Sequence, residues 1–156
     1  GAEERGQATA IAENLKAMMF IETPIIVIVL GEGGSGGALA LGVGDHIMMF
    51  SNSIYSILSP EGFASILFKD SSKAKEAAVH MRITAEDLKE LKIIDDIIDE
   101  KDGLHVDYTF GYQSCIKKIK SVYNKLNKYT THTLLEKRYD KFRQMGIYQV
   151  MEEEHE

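Results

Sequence analysis

Over residues 3–20 the apolar positions recur at helical spacing. Ala8, Ile11, Ala12, Leu15, Met18 and Met19 share one face, with Glu13 and Lys16 on the other. Glu22-Thr23-Pro24 ends that pattern. The period then changes: Pro24-Ile25-Ile26-Val27-Ile28-Val29-Leu30 is continuously apolar and largely β-branched, which predicts a strand over 24–30 buried on both faces. A glycine-rich stretch follows and enters a short helix of small residues over 36–43. Residues 45–50 and 53–58 read as two further short strands. A helix over 60–68 starts at Ser59-Pro60-Glu61-Gly62, with Ser59 as cap, Pro60 at the first helical position and Glu61 placed to suit the dipole. Helices over 71–82 and 84–91 come next, the second entered by the capping-box pattern Thr84-Ala85-Glu86-Asp87. Residues 93–98 predict a last strand at a sheet edge, Lys101-Asp102-Gly103 a turn, and 106–128 and 131–144 two closing helices. No internal repeat is visible.

This order is that of an α/β fold, yet only about four strands are on offer. Such a sheet leaves the apolar strand 24–30 short of neighbours, so the chain reads as part of a larger domain whose opening strands lie elsewhere. That it starts on Gly1 rather than methionine points the same way, to a processed fragment.

Composition and charge narrow the function. The 156 residues, 44% hydrophobic and 27% charged, suit one globular domain with a real core. A single cysteine, Cys115, excludes a disulfide framework and fits a reducing cytoplasm. No apolar run approaches the ~20 residues of a membrane span, and the polar, acidic start is neither a signal nor a transit peptide. The net charge of −6 is uneven: nine basic against eighteen acidic residues through 114, then nine against six, four of the six in Met151–Glu156. The basic residues Lys117, Lys118, Lys120, Lys137, Arg138, Lys141 and Arg143 read either as a solvated helical face or as a docking surface for an acidic partner or a phosphate-bearing cofactor. Nucleic acid is not an expected partner, since the chain is acidic and no aromatic residues interleave the lysines.

The chemistry concentrates in residues 31–44, where seven of fourteen residues are glycine. Glycine inside regular structure costs roughly 0.5–1 kcal/mol relative to alanine, so the density needs a cause. Gly31-x-Gly33-Gly34-x-Gly36 fits a dinucleotide fingerprint, but the following helix is too short for a full crossover and the next strand ends without a ribose-binding acid. Gly33-Gly34-Ser35-Gly36-Gly37 also fits a nucleophile elbow, with histidines 46, 80, 105 and 132 available but in no recognisable context. A third reading has no nucleophile. In it the N–H groups of Gly36 and Gly37 receive the oxygen of a carbonyl as it gains charge, one such donor being worth ~3 kcal/mol. Glu32 could steer that loop, Glu61 could line the same cleft or simply serve its helix start, and Met48 and Met49 read as core filler.

Four stretches together resemble one family: Gly1-Ala2-Glu3-Glu4-Arg5-Gly6-Gln7, the glycine block Gly31–Ala40, Val43-Gly44-Asp45, and Ser59-Pro60-Glu61-Gly62 with Ala64–Leu67. That family is the alpha subunit of bacterial acetyl-CoA carboxylase carboxyltransferase. Leu88–Asp95 and Arg138-Tyr139, Arg143 and Gly146 fit its C-terminal part. The resemblance implies a crotonase-like ββα superhelix, lacking its N-terminal half here, in residues 1–104, and a helical extension for subunit assembly in 105–156. It implies carboxyl transfer from carboxybiotin, held on the biotin carboxyl carrier protein, to acetyl-CoA, giving malonyl-CoA. Gly36 and Gly37 would be the oxyanion-hole pair facing the biotin ureido oxygen, with Gly33, Gly34, Ser35 and Glu61 lining the site. Zinc would belong to the beta subunit, the partner in an alpha2beta2 heterotetramer.

Overall fold

Two successive strand pairs, each followed by a helix, set the architecture of the computed structural model, which describes residues 1–146. The acidic terminus Met151–Glu156 lies outside the described residues. A turn of 3-10 helix at Glu3–Arg5 leads into α1, Gln7–Met19. Strand β1, Ile26–Val29, is followed at once by β2, Glu32–Gly34, and by α2, Ser35–Leu41. The pattern then repeats as β3, His46–Phe50, β4, Ile54–Ser56, and α3, Pro60–Leu67. β1 pairs in parallel with β3, and β2 in parallel with β4, so each chain segment leaves one sheet and joins a second. The register runs Val27 to Ile47 in the first sheet and Gly33 to Tyr55 in the second. The fold therefore repeats a ββα unit that the sequence does not.

The remaining elements close the first sheet. After α4, Ala74–Met81, and α5, Ala85–Glu90, strand β5, Asp96–Ile98, adds to β3, giving the order β1-β3-β5. The predicted edge position of this last strand is correct, although only half of 93–98 is strand. α6, Tyr108–Leu126, and α7, Thr131–Arg143, cover one face: Val122, Leu126 and Leu134 share a core with Met48, Phe50 and Ile98. On the other face Val29, Ile47 and Met49 pack with Ala85, Leu88 and Ile94. Met48 and Met49 are fully buried, as core filler should be.

Local chemistry explains the element starts. Ser59 accepts the Gly62 N–H at 3.1 Å and Thr84 accepts that of Asp87, so both predicted caps are made. One expectation fails. β1 is only half-buried along most of its length and Leu30 is exposed, because β1 lies at the edge of the three-stranded sheet with a neighbour on one side alone. The predicted helix 71–82 is likewise split, a 3-10 turn at Ser71–Lys73 preceding α4.

Candidate functional site

The crossing from β1 to β2 shapes the glycine block. Gly31 turns with φ +76°, a conformation that L side chains rarely adopt. Buried Ser53 locks the turn: its hydroxyl accepts the Gly31 N–H at 2.9 Å and donates to the Val29 carbonyl at 3.2 Å. The Gly31 carbonyl in turn accepts the Ile54 N–H. Nothing in the sequence marked Ser53, a small polar residue between two strands. Its role appears only once the strands are paired.

Close packing accounts for most of the other glycines. A Cβ at Gly33 would lie 3.1 Å from both Tyr55 and Val29, and one at Gly36 3.1 Å from the Ile11 δ-methyl of α1. At Gly42 it would collide with the Tyr55 hydroxyl, and at Gly44 it would lie 2.7 Å from Val27. Gly34 and Gly37 differ. Neither has positive φ, and a Cβ at either would meet no atom within 4 Å. Both line an open cleft of about 390 Å³, whose walls include Val29, Glu32, Leu41 and Tyr55. Burial pushes the Tyr55 phenol above its usual pKa, so it enters the cleft as a neutral group.

The predicted residues thus divide. Gly33, Gly34 and Gly37 meet at the cleft, whereas Gly36 turns its Cα face toward α1. Gly36 and Gly37 stand in the first turn of α2, where amides have no i−4 acceptor within their own helix, and no side chain caps that helix. Ser35 stands at the head of α2 with φ +57°. The histidines an elbow would need are engaged elsewhere: His46 with Asp96, His80 against the Phe68 ring, and His132 with Glu136. His105 lies beside Gly103 in a separate hollow. Glu61 is exposed in the first turn of α3 and does not line the cleft. Among the described residues no group of three or more His, Cys, Asp or Glu is placed to hold a metal ion.

Three of the C-terminal cations are structural. Arg138 pairs with Asp45, Lys141 with Asp95 and Lys118 with Asp96, which takes them out of the set available for phosphates. Arg138 and Lys141 border a second hollow with His46. Burial pulls the His46 pKa below its ordinary value, against the opposing pull of Asp95 and Asp96.

A family model described as acetyl co-enzyme A carboxylase carboxyltransferase-like matches residues 1–146. The chain belongs to that family. It is 54% identical over 147 residues to the acetyl-coenzyme A carboxylase carboxyl transferase subunit alpha of Clostridium botulinum, covering 94% of this chain and 54% of that one. It is 56% identical over 150 residues to the beta/alpha subunits of Natranaerobius thermophilus, covering 94% and 24%. The chain spans about half the length of the alpha subunits it matches. Its fold is shared with transcarboxylase 12S, at a TM-score of 0.60 and 17% identity over 99% of this chain and 26% of that one. The α/β, crotonase-like expectation is met at that level. No helix among the described residues is long and apolar enough to cross a membrane.

Proposed function

We propose that this chain supplies one wall of a carboxyltransferase active site, taking a carboxyl group from carboxybiotin to acetyl-CoA to form malonyl-CoA. The observation that carries the reading is the pair of glycines at 34 and 37. They open on a cleft with no packing or backbone reason to be glycine, in a chain of the carboxyltransferase family. The first-turn N–H groups of Gly36 and Gly37 would donate to the biotin ureido oxygen and draw charge from the ring, while Gly33, Gly34 and Ser35 shape the approach. Water exclusion strengthens such donors, each worth ~3 kcal/mol in comparable sites. A bare wall at 34 and 37 would let the flat ureido group come within hydrogen-bond distance of the main chain.

The beta subunit is the proposed partner across the cleft, in an alpha2beta2 assembly. It would stabilise the enolate of acetyl-CoA and hold the zinc, and the biotin carboxyl carrier protein would deliver carboxybiotin. Residues 105–146 would help assembly through the outer surfaces of α6 and α7, and the cytoplasm is the proposed compartment. The test is reconstitution with a beta subunit and carboxybiotin. Malonyl-CoA formation that is lost in Gly37→Val while the complex still assembles supports the reading. Assembly without turnover by the unaltered chain would instead make it a silent structural piece. Retained turnover in Ser35→Ala excludes a serine hydrolase.

A further inference from the structure

Arg138, in the middle of α7, is wholly buried, and the side chain of its partner Asp45 is only 3% exposed. Its Nε and Nη2 take the two carboxylate oxygens of Asp45 at 2.9 and 2.8 Å. Nη1 donates to the carbonyls of Met18 and Ile21 at 2.8 and 2.7 Å and reaches that of Met19 at 3.4 Å. Nη2 also donates to the Thr23 carbonyl at 3.1 Å, and Asp45 accepts the Ile25 N–H at 2.7 Å. Met18 and Met19 are the last residues of α1, whose closing carbonyls have no acceptor role left to fill within the helix. A buried guanidinium is the charge complement of that negative end.

α1 in turn holds α2. It buries no residue completely, so it depends on a few specific contacts. The Ile11 side chain fills the space beside Gly36, and the Asn14 amide donates to the Ala40 carbonyl near the end of α2. A continuous set of contacts therefore runs from Arg138 through the last turn of α1 and its Ile11–Asn14 face to the helix that carries Gly36 and Gly37.

We infer that Arg138 is a positioning residue for the α2 amides: it fixes α1, and α1 fixes the angle of α2 over the cleft. Arg138 does not line that cleft. The inference rests on the carboxyltransferase reading, which gives amide orientation a kinetic consequence. Lysine at 138 would keep the charge but cannot grip a carboxylate with two N–H groups while also serving the α1 carbonyls.

The test is Arg138→Lys in the full chain assembled with a carboxyltransferase beta subunit, read by hydrogen exchange and by kinetics. Exchange at residues 35–41 should quicken about tenfold while β3 stays protected. Turnover should fall by up to about a hundredfold with KM for acetyl-CoA within about twofold, because misplaced donors cost transition-state rather than ground-state binding. Adding Asn14→Ala should then cost little more, since both changes act through α1. Should Arg138→Lys not fold, the pair Arg138→Met with Asp45→Asn removes both buried charges and takes the same readouts. Unchanged exchange at 35–41, equal loosening of β3, or full additivity with Asn14→Ala overturns the inference. If the unaltered complex makes no malonyl-CoA, the functional reading fails, and exchange still decides whether Arg138 controls α2.

Discussion

Alanine at Gly37, set beside alanine at Gly36, should separate stability from activity. Both positions lie in α2 with ordinary helical backbone, so each substitution gains up to about 0.5–1 kcal/mol from the lower entropy cost of alanine. At Gly36 the new methyl carbon would stand 3.1 Å from the Ile11 δ-carbon, the flexible end of a side chain. That neighbour must yield by a few tenths of an ångström, which offsets the gain and leaves stability near neutral. At Gly37 nothing lies within 4 Å, so the gain is kept and the variant should be the more stable protein. Its methyl group, however, projects where the cleft is open. Pushing a substrate about 1 Å from the amides costs up to a hundredfold in rate, or about 2.7 kcal/mol of barrier. The assays are urea unfolding of each variant and malonyl-CoA formation by the complex with a beta subunit. A Gly37→Ala variant that is more stable and nearly inactive supports the cleft as the site. A stabilised variant with full turnover refutes it, and a destabilised one refutes the account of why residue 37 is glycine.

Gly44→Ala should destabilise by about 1–3 kcal/mol in urea, since its Cβ would lie 2.7 Å from the Val27 methyl and 3.2 Å from the rigid Ile25 carbonyl. A loss below half a kilocalorie would show that the β1–β3 connection yields easily. Ser35→Ala should leave malonyl-CoA formation within a few-fold, whereas loss of all turnover would revive a covalent role for the hydroxyl. His46 titrates below its unfolded value of 6.5 in the folded chain, so the unfolded state binds the extra proton between the two values. Its contribution to stability is therefore full above 6.5 and declines as pH falls toward the folded pKa. His46→Gln should flatten the thermal-stability profile just below 6.5, and an unchanged slope there would assign the acid sensitivity to other groups.

Helix starts and the buried methionines were legible because each depends on a few adjacent residues: Ser59 and Thr84 cap the helices they precede. The strand assigned to 24–30 was read as buried on both faces because apolar runs report composition, not neighbours. Pairing on one edge alone leaves Leu30 at the surface. The cationic C-terminal helices misled for a related reason. Lys118, Arg138 and Lys141 look like a free basic surface until Asp96, Asp45 and Asp95, distant in sequence, are folded against them. Within the glycine block the sequence showed where to look but could not divide seven glycines among their causes. That division needed Tyr55 and Ile11, which arrive from β4 and α1.

The place of the cleft follows from the sheet switch itself. Where a strand leaves one ladder and has not yet joined the next, its main-chain groups need other partners or must face an opening. At the β3–β4 switch side chains meet that need: Glu100, though buried, accepts the Asn52 and Leu104 N–H groups at 2.8 and 3.1 Å, and Ser51 accepts the Glu100 N–H at 3.3 Å. At the β1–β2 switch Ser53 satisfies only the Gly31 N–H and the Val29 carbonyl. Four residues further on the chain enters α2 at Ser35, and the Ser53 hydroxyl is already engaged with Gly31 and Val29. A side chain capable of capping the amides at the head of α2 would have to come from Gly34, the residue at the cap position, and glycine has none. The same substitution that makes a well-capped helix, Gly34→Ser or Gly34→Asp, would therefore occupy the donors proposed to act on substrate.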